Sequence, residues 1–266
     1  MKQYIVDAFT DTVFRGNQAA VCVLERGSWP KDSLMQSIAA ENRFSETAFV
    51  MPAGAARTYQ LRWFTPEGEI DFCGHATMGT AYVLLRFYEP DAAQVWFEAQ
   101  IGTLAAQRDG DRIELDFPAY PCSQTDVTEE IASAIGIVPL EAYLSRDLLL
   151  VLPDEDAVRR LSPDQARLMN LPGLLTVVTA KGTGEYDCVS RIFAPKLGIP
   201  EDPVTGSAHC MITPYWCSRL GKDTLICFQA SERSGALYTR LDGDRVKISG
   251  KAVLYSVGDI LTDLDV

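Results

Sequence analysis

The pattern of apolar and polar positions predicts many short strands and few helices. Residues 59–64 alternate at period two, as a half-buried strand does, and residues 4–9, 19–24, 95–98, 102–107 and 112–117 read as further strands. In the second half, residues 148–152, 174–180, 186–193, 224–229, 237–241, 245–249 and 252–255 read the same way. Asp109-Gly110-Asp111 and Asp242-Gly243-Asp244 are tight turns that leave neighbouring strands antiparallel. A helix is predicted from Ser28, with Pro30 in its first turn, to about Ala40, and residues 45–50 then pass into a strand. Further helices are predicted at residues 128–135 and from Ser162-Pro163-Asp164. Two stretches break the pattern: a run of small and apolar residues from about Gly74 to Phe87, and a second reaching about Leu220. Each reads as a buried helix. Pro214 lies two turns into the second, where an interior proline costs about 3 kcal/mol, so a kink or a local compensation is expected.

The two apolar helices open alike. Asp71-Phe72-Cys73-Gly74-His75-Ala76-Thr77 leads into the first, and Asp202-Pro203-Val204-Thr205-Gly206-Ser207-Ala208-His209 into the second. Gly74 and Gly206 lie 132 positions apart in 266. Upstream, Arg62-Trp63-Phe64-Thr65-Pro66 matches Arg191-Ile192-Phe193-Ala194-Pro195 at an offset of 129. The chain thus reads as two similar halves, an N-terminal lobe of residues 1–112 plus 252–266 and a C-terminal lobe of residues 113–251. The expected architecture is α+β: two pseudo-symmetric lobes, each a curved, mostly antiparallel sheet wrapped around a central helix. The start of a helix has unpaired N–H groups and the positive end of its dipole, which suits carboxylates. Two facing starts are expected to hold a small acid between the lobes.

Composition narrows the function classes. A net charge of −12 with no run of Lys and Arg argues against nucleic acid and against anionic membranes. No 18-residue apolar stretch is present, and Met1-Lys2-Gln3 leads straight into a strand, so a cytoplasmic location is expected. Seven cysteines form no Cys-x-x-Cys pair, and with only His75 and His209 a zinc site is poorly supplied.

Taken together, certain motifs resemble the phenazine-biosynthesis isomerase (PhzF-like) family, within the diaminopimelate epimerase and proline racemase fold group. They are Asp7-Ala8-Phe9, Phe14-Arg15-Gly16-Asn17, Ser45-Glu46-Thr47-Ala48-Phe49, Phe64-Thr65-Pro66, Cys73-Gly74-His75-Ala76-Thr77, Glu201-Asp202-Pro203-Val204-Thr205-Gly206-Ser207-Ala208 and Gly250-Lys251-Ala252-Val253. The resemblance implies a homodimer and a cofactor-independent isomerase with no metal, flavin or nucleotide. Glu46 matches the family's acid/base glutamate, and His75, Asp202 and Ser207 match polar residues around the reacting carbon. Asn17, Cys73, Gly74, Ala76, Thr205, Gly206 and Ala208 are the expected substrate-binding positions.

Physical chemistry stands beside the resemblance. A desolvated carboxylate has its pKa raised toward the working pH, which suits a group that takes and returns a proton, and this is the expectation for Glu46. The amides after Gly74 and Gly206 are expected to bind a carboxylate or an enolate-like charge. His209 is expected to serve packing. The family loop Gln-Gly-x-x-x-Gly/Arg is altered here to Gln229-Ala230-Ser231-Glu232-Arg233-Ser234-Gly235, which bears on substrate identity. Thr205 is the position that matches Cys73 across the repeat, where racemases of the fold group pair two thiols, and a threonine is a poor base. Cys/Thr pairing resembles hydroxyproline dehydratases, so a Cys73-dependent dehydratase or epimerase is the alternative, and a non-catalytic binding protein is a third reading.

Overall fold

Strand periodicity and turn chemistry give the sheets, and crossover helices give their two parallel joints. The computed structural model describes residues 1–262. The chain divides into one unit of Met1–Asp116 with Ser249–Val266 and another of Phe117–Ile248. Residues 263–266, assigned by sequence to the N-terminal lobe, lie outside the described residues.

The first unit contains β1 (Lys2–Ala8), β2 (Asn17–Val23), α1 (Asp32–Asn42), β3 (Thr47–Pro52), β4 (Thr58–Phe64), β5 (Glu69–Ile70), α2 (Gly74–Val83), β6 (Gln94–Ala99), β7 (Gly102–Asp109) and β8 (Arg112–Pro118), whose last residues pass into the second unit. The second contains β9 (Ser123–Thr125), α3 (Glu129–Ile135), β10 (Glu141–Leu144), β11 (Leu148–Val151), α4 (Glu155–Arg160), α5 (Gln165–Leu168), β12 (Thr176–Lys181), β13 (Cys188–Ala194), β14 (Ile199–Asp202), α6 (His209–Leu220), β15 (Thr224–Gln229), β16 (Gly235–Asp242) and β17 (Arg245–Gly250), whose last two residues pass back into the first unit. Strand β18 (Ala252–Asp259) returns to the first unit and pairs antiparallel with β1.

Pairing repeats between the units. In the first, β1/β2 is antiparallel, β2/β3 parallel, β3/β4 antiparallel, β4/β6 parallel and β6/β7 antiparallel. In the second, β10/β11, β11/β12, β12/β13, β13/β15 and β15/β16 run through the same series. A parallel pair needs a crossover. Helices α1 and α2 supply it in one unit, α4 with α5 and then α6 in the other. The fold is α+β, as the repeat predicts.

Each sheet is covered on both faces, because successive side chains on a strand point oppositely. Ala19 and Val21 of β2 face α2, where a Cβ on Gly79 would stand 3.7 Å from Ala19 Cβ and from Val6 Cβ. Cys22 and the following Leu24 point the other way and pack with Met35, Ile38 and Ala39 of α1. In the second unit, Val178 and Ala180 pack with Ile131, Val158 and Leu168 of the outer helices. Thr179, between them, accepts a hydrogen bond from Trp216 Nε1 of α6 at 2.9 Å. Truncating a fully buried side chain such as Met78 costs about 2–5 kcal/mol.

Several boundaries differ from expectation for local reasons. Helix α1 begins at Asp32 instead of near Ser28, and Lys31 gives it no side-chain cap. Helix α2 is regular only to Val83 and ends in a π-turn over Leu84–Tyr88, closed by Glu89 N–H donating to Leu84 O at 2.7 Å. Pro214 does not interrupt α6. The carbonyl it leaves without a helical donor is that of Cys210, four residues back, and Tyr120 N–H donates to it at 2.9 Å. Helix α4, absent from the sequence reading, is capped by Asp154, whose side chain accepts from Ala157 N–H.

Candidate active site

Glu46 lies between the end of α1 and the start of β3, where Arg43 takes a left-handed conformation and turns the chain. Asn17 opens β2, and Cys73 is the N-cap of α2 with extended backbone. His75 is therefore the second residue of a helix whose Gly74 and His75 amides have no acceptor one turn earlier. These elements bring Asn17, Glu46, Cys73 and His75 together. Glu46 Oε2 stands 3.1 Å from His75 Nε2, with the two side chains 16% and 7% exposed. On the other edge of the ring, Asn17 Nδ2 lies 3.2 Å and Cys73 Sγ 3.4 Å from Nδ1. Ser45 Oγ is 3.5 Å from Nε2.

The charges follow from this packing. Burial pushes the Glu46 carboxyl up, but the His75 charge and hydrogen bond outweigh it, and the carboxyl is held below its ordinary value. Burial pushes His75 down, yet its two partners Cys73 and Glu46 raise it well above the usual imidazole range. Burial, reinforced by the Glu46 charge, pushes the Cys73 thiol up to about 11. At neutral pH the cluster is thus a carboxylate–imidazolium pair beside a neutral thiol. This corrects the expectation that burial raises Glu46: the sequence does not show that an imidazolium meets it.

A carboxylate oxygen, a thiol sulfur and an imidazole nitrogen of Glu46, Cys73 and His75 lie within 4.8 Å of one another. With only two histidines in the chain, nothing in the residue pattern signals such a donor set, which is of the type that zinc accepts. The imidazole engages both the carboxylate and the thiol.

The second cluster lies wholly in the second unit. Asp202 ends β14, and the chain then makes a turn through Gly206, Ser207 and Ala208 into α6, with His209 N–H donating to Gly206 O and Cys210 N–H to Ser207 O. Helix α6 thus starts at His209, past the glycine that the sequence marks as its opening. Thr205 Oγ1 donates to Asp202 Oδ2 at 2.5 Å. Gln229, fully buried, accepts from Thr205 N–H at 2.8 Å and donates to Asp202 O at 2.6 Å. Ser231 Oγ donates to Pro203 O at 2.6 Å, so the altered 229–235 loop holds this turn even though Ala230 replaces the expected glycine. His209 is fully buried and its Nδ1 lies 2.8 Å from Thr205 O. Ser207 Oγ accepts from Arg146 Nη2 at 3.0 Å.

Sequence reasoning misses two contributors here. Gln229 enters it only as part of a loop, and Arg146 not at all. A usable signal exists for the latter: Arg146-Asp147 stands directly before the wholly apolar Leu148-Leu149-Leu150-Val151, a costly place for a charge without a partner.

Comparison with known proteins bears on this geometry. A model of the phenazine biosynthesis-like protein family matches residues 6–258. The chain belongs to that family. This PhzF-like chain is 46% identical to an uncharacterized isomerase of Pseudomonas aeruginosa, over 96% of each chain. It is 39% identical to the phenazine biosynthesis-like domain-containing protein 2 of Mus musculus, covering 97% of this chain and 98% of that one. Among solved structures, a PhzF family protein of Enterococcus faecalis superposes with a TM-score of 0.95 at 45% identity, covering 98% of this chain and 99% of that one. A hydroxyproline epimerase of Agrobacterium vitis shares the fold, with a TM-score of 0.61 at 13% identity over 97% of this chain and 91% of that one. The PhzF-like chain is an isomerase by this membership, with a diaminopimelate epimerase-like fold. Among its described residues no helix is long and apolar enough to cross a membrane.

Proposed function

We propose that this protein is a cofactor-independent isomerase in which Glu46 carries a proton between two carbons of a small carboxylate-bearing substrate. The observation that carries the reading is the buried Glu46–His75 contact at 3.1 Å, at the start of a helix with unpaired amides. In the proposed reaction a Glu46 oxygen takes the proton from a carbon conjugated with the substrate's carboxylate. The C–H electron pair moves into the conjugated system as an enolate-like charge. The His75 imidazolium, formerly balanced by Glu46, then faces that charge, so the site's net charge is unchanged through the step. Glu46, now a carboxylic acid, returns the proton to a different carbon, and the double bond has moved. Asp202 and Ser207 are proposed to contribute polar contacts to substrate, and Thr205 to keep Asp202 oriented.

The chemistry of Cys73 counts against the thiol-dependent alternative. A thiol with a pKa of about 11 beside a carboxylate is an unfavourable base at neutral pH. Thr205, its counterpart across the repeat, already donates its hydroxyl hydrogen to Asp202.

The test is solvent exchange in D₂O, followed by proton NMR, over a panel of small amino, imino, hydroxy and unsaturated acids. Trans-4-hydroxy-L-proline is included because the Agrobacterium vitis epimerase holds it. Glu46→Gln is expected to lower exchange by about 10²–10⁴-fold while Cys73→Ser retains it. The reverse outcome establishes the thiol reaction, and binding without exchange for every acid establishes a binding protein.

A further inference from the structure

Ser207 Oγ is held by an ion pair between fully buried Asp147 and Arg146, whose side chain is 33% exposed, and the reaction proposed above does not use that pair. Asp147 is fully buried, and its carboxylate accepts from Arg146 Nη2 at 2.6 Å, from Arg146 Nε at 3.1 and 3.2 Å, and from Leu175 N–H at 3.3 Å. A buried carboxylate persists only when its charge and lone pairs are met, and here the residue beside it in sequence does most of that. The surroundings leave little freedom. A Cβ on Gly173 would come within 2.7 Å of Leu148 N and 2.9 Å of Asp147 C, so this segment packs directly on the Asp147 backbone. Arg146 Cζ also lies 5.3 Å from the centre of the Tyr120 ring. Tyr120 is itself fixed by donating its N–H to Cys210 O in α6.

The guanidinium is thus held between Asp147 and Tyr120, and its Nη2 also reaches Ser207 Oγ at 3.0 Å. A serine hydroxyl that accepts from a cation has that lone pair occupied, while its own hydrogen is free to turn elsewhere. Polarisation by the cationic donor also makes that hydrogen a stronger donor. Ser207 sits in the turn whose Gly206, Ser207 and Ala208 amides have no acceptor among the described residues. A hydroxyl hydrogen and these amides are donors of one kind, suited to one anionic oxygen.

We propose that Arg146 is a positioning residue: by occupying a lone pair of Ser207 Oγ it commits the hydroxyl to donate to an oxyanion of the substrate. This rests on the reading that Ser207 contacts the substrate. Arg146→Lys is the informative change, since it keeps a cation for Asp147 while losing the planar fork that serves Asp147 and Ser207 at once. Arg146→Met is avoided as the primary variant because it strands a buried charge.

Exchange kinetics on the most active acid of the panel are compared for wild type, Arg146→Lys, Ser207→Ala and the double variant, with melting temperatures alongside. Each single change is expected to lower kcat/KM on the order of 10- to 100-fold, and the double to be no worse than Ser207→Ala. Losses that multiply in the double variant overturn the proposal, because they give Arg146 an effect independent of Ser207. Crystal structures of wild type and Arg146→Lys test it without substrate. Ser207 Oγ is expected to leave its wild-type rotamer in the variant, and an unmoved Oγ overturns the proposal even if no acid in the panel exchanges. Glu46→Gln run in parallel separates the two claims. Retained exchange there refutes the glutamate reading and leaves the Arg146–Ser207 result to stand by itself.

Discussion

The two helix starts occupy the same place in a repeated topology, yet they are furnished with opposite kinds of chemistry. At α2 the side chains are mutually dependent: His75 holds the Glu46 carboxyl below its ordinary value, and Cys73 and Glu46 together raise His75. At the α6 turn the polar groups are tied down by a hydrogen-bond network, with Gln229 bridging Thr205 and Asp202, Thr205 donating to the Asp202 carboxylate, and Arg146 holding Ser207. A site that moves a proton needs a group whose protonation state can change, and in the first cluster Glu46 and His75 shift one another's titration. The second is built to keep its shape. Duplication supplies the frame, and the side chains divide the work.

The largest effect that would break this contrast comes from His75. Replacing it with Ala leaves Glu46 buried with nothing to oppose desolvation, so the carboxyl should move from below its ordinary value to above it. The acid limb of the rate–pH profile then shifts to higher pH, and activity at neutral pH falls by about 10²–10³-fold with the lost imidazolium. The pair also has a signature in stability. Glu46, with its folded pKa depressed, contributes stability above its unfolded pKa, near 4.5, and this is lost as pH falls through the lower folded value. His75, with its folded pKa raised, contributes fully below about 6.5 and loses its contribution as pH rises through the higher folded value. These are two faces of one interaction. Urea unfolding of wild type should therefore show an advantage over His75→Ala that is widest between those two unfolded values. A constant difference across about pH 4 to 9 refutes the ion pair.

A smaller effect, of stability more than of chemistry, is expected in the second cluster. Gln229→Ala strands the buried Thr205 amide, which Gln229 accepts from at 2.8 Å, and removes the donor it gives to Asp202 O at 2.6 Å. Unsatisfied buried groups of this kind cost about 1–3 kcal/mol in all. The melting temperature should fall by about 2 to 12 °C for a chain of this size. The acid limb of the rate–pH profile should stay where it is in wild type, since Gln229 belongs to the shape-keeping cluster. A shifted limb would mean that the clusters are not divided as described.

How much of this is legible in the sequence depends on what each feature rests on. The repeat is legible because it is written in residues of restricted conformational use, the Gly74 and Gly206 turns and the Arg-x-Phe-x-Pro run-ups. The central helices are legible because apolar residues on every face leave no surface for water. The charge state of Glu46 is not, since it depends on His75, 29 residues on, and no local pattern encodes that meeting. Arg146 escapes notice for the same reason: its partner Ser207 is 61 positions away. The capping failure at Ser28 is different in kind. Good local cap chemistry is present, and the chain begins its helix at Asp32 all the same.

The smallest expected effect concerns the one residue of α6 that local rules reject. Pro214 should cost about 3 kcal/mol in a helix interior, through a clash and through the loss of a donor to the carbonyl four residues back. That carbonyl, Cys210 O, already accepts from Tyr120 N–H. Pro214→Ala would restore a helical N–H but leave it an acceptor that is largely taken. The substitution also returns freedom to the unfolded chain, which works against stability by about 0.4–1 kcal/mol. The expected change is therefore under about 1 kcal/mol, a shift of less than about 4 °C by calorimetry. A stabilisation approaching about 3 kcal/mol would mean that the Tyr120 contact does not compensate the proline. It would also leave the uninterrupted run of α6 through Pro214 without a cause.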